Sequence, residues 1–422
     1  MLRKIRIMIS KGIAFVYVFI LYHLKSKKQV NNKKILIIFG GHLGNALLNA
    51  DLVERINMRF KKEDGWEIYL YINSKNYSLL KKVINVEGIN VLDIEYPFEN
   101  GGTDFKSVYA ASKYFKNRSF DKIVVNLAHI MPLAGYVVGI TRNNESIGVF
   151  DDISHETTGI ANIDHNFGST RWYFERAYSD PIKVDYNTQE YIRIKKMLVR
   201  LGDNSFESRI IPLPKLSDYR PTNNKYITIT VDSSTSKKRF EMKKFAAIAN
   251  YFSSKYGFDV CLSGTGDSIA LYNEFVDSIN DKERIINCIG STSFDQWVEL
   301  LRGALFHIGV DSGSIHVAAS VGTQAFCIVG AWDGKRALPY VNDRVDENTV
   351  PPICVYMQDV EKLPCYGCLP LSGVMGHNNT TCYERCSTGN NCVCLCQISD
   401  QDVIDVVEKW LHDNYELASI IQ

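Results

Sequence analysis

At 422 residues the chain is long enough for two domains or slightly more. It is 45% apolar and 23% charged, the balance of a soluble globular protein. A formal net charge of +1 gives no argument for bulk nucleic-acid binding, so no nucleic-acid partner is expected.

Residues 1–32 read as an N-terminal extension. Arg3, Lys4, Arg6 and Lys11 precede an apolar, aromatic run over 12–24, and Lys25, Lys27 and Lys28 follow it. The run is short for a membrane span, and no small-residue cleavage site follows it. An apolar segment flanked by bases fits a helix lying on an anionic membrane surface. It fits an extra packed helix or a partner-binding helix equally well.

The first domain is expected over 33–215. Residues 33–39 predict a buried strand, Gly40-Gly41-His42-Leu43-Gly44-Asn45 a glycine-rich turn, and 46–60 an amphipathic helix with Leu47, Leu48, Leu52, Val53 and Ile56 on one face. Such an opening usually makes a ligand crevice, although the glycine spacing is not the dinucleotide fingerprint. Strands follow at 67–72, 89–94, 122–127 and 145–150. Helices follow at 77–86, 106–115, 133–139, 172–178 and 188–201. The polar stretch 203–225, punctuated by Pro212, Pro214 and Pro221, reads as the interdomain connection.

The second domain is expected over 216–398, with strands at 226–231, 259–262 and 285–288 and helices at 242–256, 268–279 and 294–301. A last helix at 400–411, within 399–422, carries Val403, Ile404, Val406, Val407 and Leu411. Alternating strands and helices predict an α/β fold with parallel sheets covered on both faces.

Residues 306–320 carry the strongest local pattern. An apolar strand ends at Asp311, Ser312-Gly313 makes a tight turn, and a small-residue helix containing His316 follows, with another strand at 325–330. The first amides of such a helix lack internal partners and favour an anion. Gly313 admits close approach of a ligand, Ser312 is placed to cap the helix, and Asp311 and His316 are polar residues placed where the turn opens, as candidate donor-binding groups. Three βα loops then converge at one sheet edge. They carry Lys237, Lys238 and Arg239; Asp267; and Asp311, Ser312 and Gly313. Lysine with free amides suits a diphosphate, and a carboxylate one loop away suits ribose hydroxyls. Taken singly, each has a plainer reading, as a capped turn or a solvated charge run.

The run Asp311-Ser312-Gly313-Ser314-Ile315-His316-Val317-Ala318 resembles the D-[ST]-G-x-x-H-x-A signature of the lipopolysaccharide heptosyltransferase family, glycosyltransferase family 9. Lys238-Arg239-Phe240 is similar to that family's K-x-W segment, and 262–267 to its donor loop. The first domain resembles it more weakly, through Lys34-Ile35-Leu36-Ile37 and the loop holding Gly41 and Gly44. The resemblance implies a GT-B architecture: two Rossmann-like domains facing across a cleft, the first for acceptor, the second for an activated sugar, with the last helix crossing back to the first. It implies that Lys238 pairs with the diphosphate of a nucleotide-sugar donor and that Asp267 holds ribose. The Ser312 and Gly313 amides would meet phosphate, and Asp311 would contact donor sugar or phosphate. The implied reaction is inverting transfer of a sugar, ADP-heptose being one candidate donor, to a cell-envelope glycan or lipid-linked acceptor. The implied location is cytoplasmic, at the inner face of the cell membrane.

The expected base departs from the family. Asn45 stands where the family usually has Asp, and an amide cannot accept a proton usefully. His42, in the same loop, is the first candidate; Asp104 is another. A sugar-nucleotide-binding scaffold without turnover is the third reading.

Eight of the eleven cysteines lie between Cys354 and Cys396. Cys365-x2-Cys368 and Cys382-x3-Cys386, with Cys394, are candidate thiolate ligands for a structural Zn or Fe rather than disulfide partners. No catalytic metal is expected. The resemblance extends to Cys394-Leu395-Cys396-Gln397-Ile398-Ser399. A related group that glycosylates bacterial autotransporters holds an iron in this way, which makes protein O-glycosylation the alternative activity.

Overall fold

The computed structural model describes residues 2–26, 28–41, 43–96, 104–126, 132–152, 176–185, 188–233, 238–330, 337–356 and 393–415. The chain divides into two compact units, Met1–Ser208 and Arg209–Gln422.

The first unit runs α1 (Leu2–Leu24), β1 (Lys34–Phe39), α2 (Leu43–Leu48), α3 (Ala50–Arg59), β2 (Glu67–Tyr71), α4 (Ser74–Val83), β3 (Ile89–Val91), α5 (Phe105–Phe115), β4 (Ser119–Asn126), α6 (Pro132–Ile140), β5 (Arg142–Asp152), β6 (Asp180–Asp185) and α7 (Glu190–Arg200). Its strands form one parallel sheet in the order β3-β2-β1-β4-β5-β6. Central β1 is buried from Ile35 to Phe39, as a strand covered on both faces must be.

Two local differences from the sequence reading have simple causes. The helix expected over 46–60 is two helices, because the backbone leaves the helical range at Asn49 (φ −104°, ψ 3°), where the Asn49 amide and side chain both donate to the Asn45 carbonyl, at 3.0 and 2.7 Å. Strand β6 was not expected at all. Its sequence Asp-Pro-Ile-Lys-Val-Asp has only Ile182 and Val184 facing inward, and Pro181 is tolerated because β6 is an edge.

The second unit runs β7 (Tyr226–Thr230), α8 (Met242–Tyr256), β8 (Asp259–Ser263), α9 (Ile269–Val276), β9 (Ile285–Asn287), α10 (Phe294–Arg302), β10 (His307–Val310), α11 (Gly313–Ser320), β11 (Ala325–Val329), β12 (Ile353–Tyr356), α12 (Val393–Cys396) and α13 (Asp400–Asn414). The order β12-β11-β10-β7-β8-β9 repeats the winding of the first sheet. Phe306, just before β10, is fully buried among the rings of Phe252, Phe258, Phe326 and Trp410, with centroids 5.3 to 6.4 Å away. The unexpected β12 takes Cys354 out of the cysteine-rich segment and pairs it in register with Cys327 of β11.

Helix α13 starts at a capping box made by Ser399 and Asp402. Val403, Ile404, Val407 and Leu411 enter the second unit's core, and Glu408 takes Lys255 at 2.7 Å and Tyr256 at 2.9 Å from α8. Over its described length the helix packs into the second unit's core. The proline-punctuated connection is also strapped down. Leu213 donates to the Ser320 carbonyl at 2.8 Å, Leu216 to Glu299 at 2.8 Å, and Arg302 donates to the carbonyls of Leu213 and Pro214.

Candidate functional site

In the second sheet the winding reverses between β7 and β10. Ligands of open α/β sheets bind beyond the carboxyl ends of the strands at such a point. The structure brings Lys238, on the loop after β7, to Asp311 at the end of β10, with Nζ donating to Oδ2 at 2.6 Å. Both side chains are more than four-fifths shielded from solvent. Burial pushes the Asp311 carboxyl up, but the Lys238 ammonium and His316 outweigh it and hold the group below its ordinary value.

Ser312 occupies the N-cap position of α11 in an extended conformation, yet its hydroxyl does not cap the helix. It turns to the Ser314 hydroxyl 3.0 Å away. The first amides of α11, Gly313 included, are thus not taken by the side chain expected to take them. His316 lies on α11 behind the loop rather than at its mouth. It is 4% exposed, and its Nδ1 meets the Tyr340 hydroxyl at 2.5 Å. Burial lowers its pKa to about 4, so it is neutral at pH 7 and Lys238 is the counter-charge of Asp311.

Sequence reasoning missed the polar chain beneath this loop. His307, at the start of β10, is fully buried. Its Nδ1 lies 3.0 Å from the Thr228 hydroxyl and its Nε2 3.0 Å from the Ser314 hydroxyl, which continues to Ser312. Burial lowers the His307 pKa to about 3. A histidine inside an apolar run was the available signal. A Cβ on Gly309 would sit 3.1 Å from His307 Nε2 and 3.4 Å from Ser314 Oγ. Gly309→Ala should therefore cost about 1–3 kcal/mol in denaturant unfolding by crowding this chain; an unchanged midpoint would show that the chain yields freely.

Asp232, after β7, was also missed. Its Oδ1 accepts from Arg239 Nε at 3.0 Å and its Oδ2 from the Ser268 hydroxyl at 2.6 Å, joining the β7 and β8 loops. Arg239 is therefore engaged in an ion pair rather than a solvated run. Asp267 lies next to Ser268, exposed on the β8 loop. Gly290 has φ +66°, and a Cβ there would meet Gly266 Cα at 2.9 Å, so the β9 loop presses directly on the β8 loop.

In the first unit Gly41 has φ +113° and accepts from Asn76 Nδ2 at 2.9 Å. A Cβ on Gly41 would meet Asn45 Nδ2 at 2.8 Å, so only glycine lets the Asn45 amide lie against this turn. Gly44 is buried in α2. His42 falls outside the described residues. Asp104 caps α5, accepting from the Ser107 amide at 3.0 Å and the Ser107 hydroxyl at 2.7 Å. Burial raises its pKa, but those hydrogen bonds prevail and hold it low, so this carboxylate is committed to a helix terminus rather than to proton transfer.

Of the candidate metal ligands, Cys365, Cys368, Cys382 and Cys386 fall outside the described residues. Cys394 is buried in α12, its sulfur 3.0 Å from where a Cβ on Gly330 would stand. Among the described residues no three His, Cys, Asp or Glu side chains gather to hold a metal ion.

Residues 175–354 match the model of glycosyltransferase family 9 (heptosyltransferase). Solved structures share the fold. A glycosyltransferase family 9 protein from Veillonella parvula is 16% identical, with a TM-score of 0.62 over 92% of this chain and 100% of that one. Escherichia coli ADP-heptose lipopolysaccharide heptosyltransferase II is 16% identical, with a TM-score of 0.54 over 90% and 99%. The dodecameric iron-containing heptosyltransferase TibC, solved with ADP-D-β-D-heptose, is 14% identical, with a TM-score of 0.50 over 92% and 78%. No curated protein matches the chain. The chain thus has the fold of the GT-B glycosyltransferases and carries, over residues 175–354, the domain of glycosyltransferase family 9.

Proposed function

We propose that the chain moves a sugar, with inversion, from a nucleotide-diphosphate donor to an acceptor hydroxyl, and that the donor diphosphate is held at the switch point of the second sheet. The observation that carries this is the Lys238–Asp311 pair, set where α11 begins. Asp311 orients the ammonium, which meets phosphate together with the α11 amides. As the acceptor oxygen bonds to the anomeric carbon, the bond from that carbon to the phosphate oxygen breaks. The lysine and amides stabilise the charge that collects on the departing diphosphate. The acceptor proton passes to a base, for which His42 is the proposal, and exposed Asp267 takes ribose hydroxyls. ADP-heptose is the first donor to test, since two of the similar structures are named for it or were solved with it. The acceptor is read as a cell-envelope glycan or a lipid-linked sugar. The cysteine pattern favours a second reading, a protein acceptor. Asn45 favours a third, a scaffold without turnover.

A thermal-shift panel of ADP-, GDP-, UDP- and dTDP-sugars tests the donor site, because a ligand of the native state raises the midpoint with dose. One nucleotide class should stabilise the protein and release its nucleoside diphosphate when an acceptor is supplied. His42→Ala should keep the binding and lose roughly 10²-fold or more in rate. An unchanged rate removes His42 from the mechanism, and binding without turnover across acceptors supports the scaffold.

The thiolates also support a structural metal, Zn or Fe, with Cys394 its one described ligand. Purified protein should contain about one tightly bound metal per chain, and chelation should lower the melting temperature. Metal-free protein that is fully folded would refute this.

A further inference from the structure

Helix α1 is fastened to the first unit by one face and leaves the opposite face bare. Ala14 and Val18 are fully buried in the core that α5 and α6 share. Ser10 Oγ accepts from the Phe105 amide at 2.9 Å, and Lys25 Nζ donates to the Thr141 carbonyl at 3.3 Å. Val30 and Asn144 exchange two hydrogen bonds of 2.8 Å just beyond the helix. On the other side Ile9, Ile13, Val16, Ile20 and Leu24 are 54, 51, 56, 51 and 74% exposed. Their spacing of four, three, four and four residues places them on one stripe, roughly 22 Å long at 1.5 Å per residue. A face meant for water would be polar at these positions.

The charge around the stripe indicates what covers it. The first 32 residues hold seven lysines and arginines and no acid; taking that +7 from the total of +1 leaves −6 on the rest of the chain. Arg6 is exposed at one end of the stripe and Lys28 beyond the other. A second copy docked by the same face would set like charges against each other. An anionic lipid headgroup layer is complementary to both features, because it takes the bases at its phosphates and the apolar stripe below them. No helix among the described residues is long and apolar enough to cross a membrane, so the contact is one of lying on the surface. We infer that the outward face of α1 seats the protein on an anionic lipid surface. This inference does not depend on the identity of the donor or the acceptor.

The test is flotation of the full chain with vesicles of phosphatidylcholine alone or with about 30% phosphatidylglycerol. The protein should float with the anionic vesicles and bind neutral ones at least ~10-fold more weakly. Ile13→Asp/Ile20→Asp changes only solvent-facing positions, so its melting temperature should match the parent while vesicle binding falls at least ~10-fold. Arg6→Glu/Lys28→Glu should weaken binding in a salt-dependent way. No flotation of folded protein, or a double aspartate variant that floats like the parent, would overturn the inference. So would an oligomer that the aspartates convert to monomer without any vesicle binding, since the face would then belong to a second copy.

Discussion

Lys238→Ala is expected to lower affinity for the proposed nucleotide-diphosphate sugar by roughly 10²-fold or more, as titration calorimetry or dose-dependent thermal shift would record. The same change leaves Asp311 as a shielded carboxylate without its 2.6 Å partner. Two losses are then superimposed: a phosphate contact and the counter-charge of a buried acid. They separate by a double-mutant cycle. Removing one member of a well-buried pair costs about 3–5 kcal/mol, and the residual exposure of both side chains puts the expected stability loss nearer ~2 kcal/mol. Lys238→Ala/Asp311→Asn relieves the uncompensated charge and should regain most of that stability. It should not regain donor affinity, because the ammonium is still missing. If the double variant binds donor like the parent, Lys238 serves only to neutralise Asp311, and the diphosphate is held elsewhere.

Acidification from pH 7 to 5 destabilises the second unit steeply, before most carboxylates titrate. Burial lowers the pKa of His307 to about 3 and that of His316 to about 4, against an ordinary value of 6.5. Below pH 6.5 the unfolded chain takes protons that the folded chain refuses, so stability is fully present above 6.5 and is lost as the pH falls. Each group costs about 1.4 kcal/mol per pH unit in this window. The window closes near pH 4 for His316 and near pH 3 for His307. Asp311 acts in the same direction, but only below its ordinary value of 3.8, since its folded pKa is depressed. Melting temperatures between pH 7.5 and 4.5 should therefore fall with decreasing pH. His307→Gln, which keeps an amide donor and acceptor near Thr228 and Ser314, should reduce the slope by about half. A parent whose midpoint is flat over this range would show that these imidazoles are hydrated and free to protonate.

Much of the fold was legible because it is written locally. Continuous apolar runs such as Ile35 to Phe39 and Ala325 to Val329 declare buried parallel strands, and helix-period runs between them declare the coverings. The loops of the candidate site were legible for the same reason: Asp311, Ser312 and Gly313 follow a strand and open a helix within a few residues. Strand β6 was hidden because an edge strand with one inward face carries too few apolar residues to stand out. Strand β12 was hidden inside a cysteine-rich stretch.

By itself the sequence determined the alternation of strands and helices, the polar loops that carry Lys238, Asp267 and Asp311, and the basic, apolar character of residues 1–32. Those properties depend on neighbours in the chain. Only the tertiary structure decided which partners these residues meet. It set Lys238 against Asp311, 73 positions away, turned Ser312 from the helix it heads, and placed His307 under the loop. It also chose which face of α1 is buried. Such choices belong to strand order and packing, which bring together groups that periodicity along the chain cannot relate.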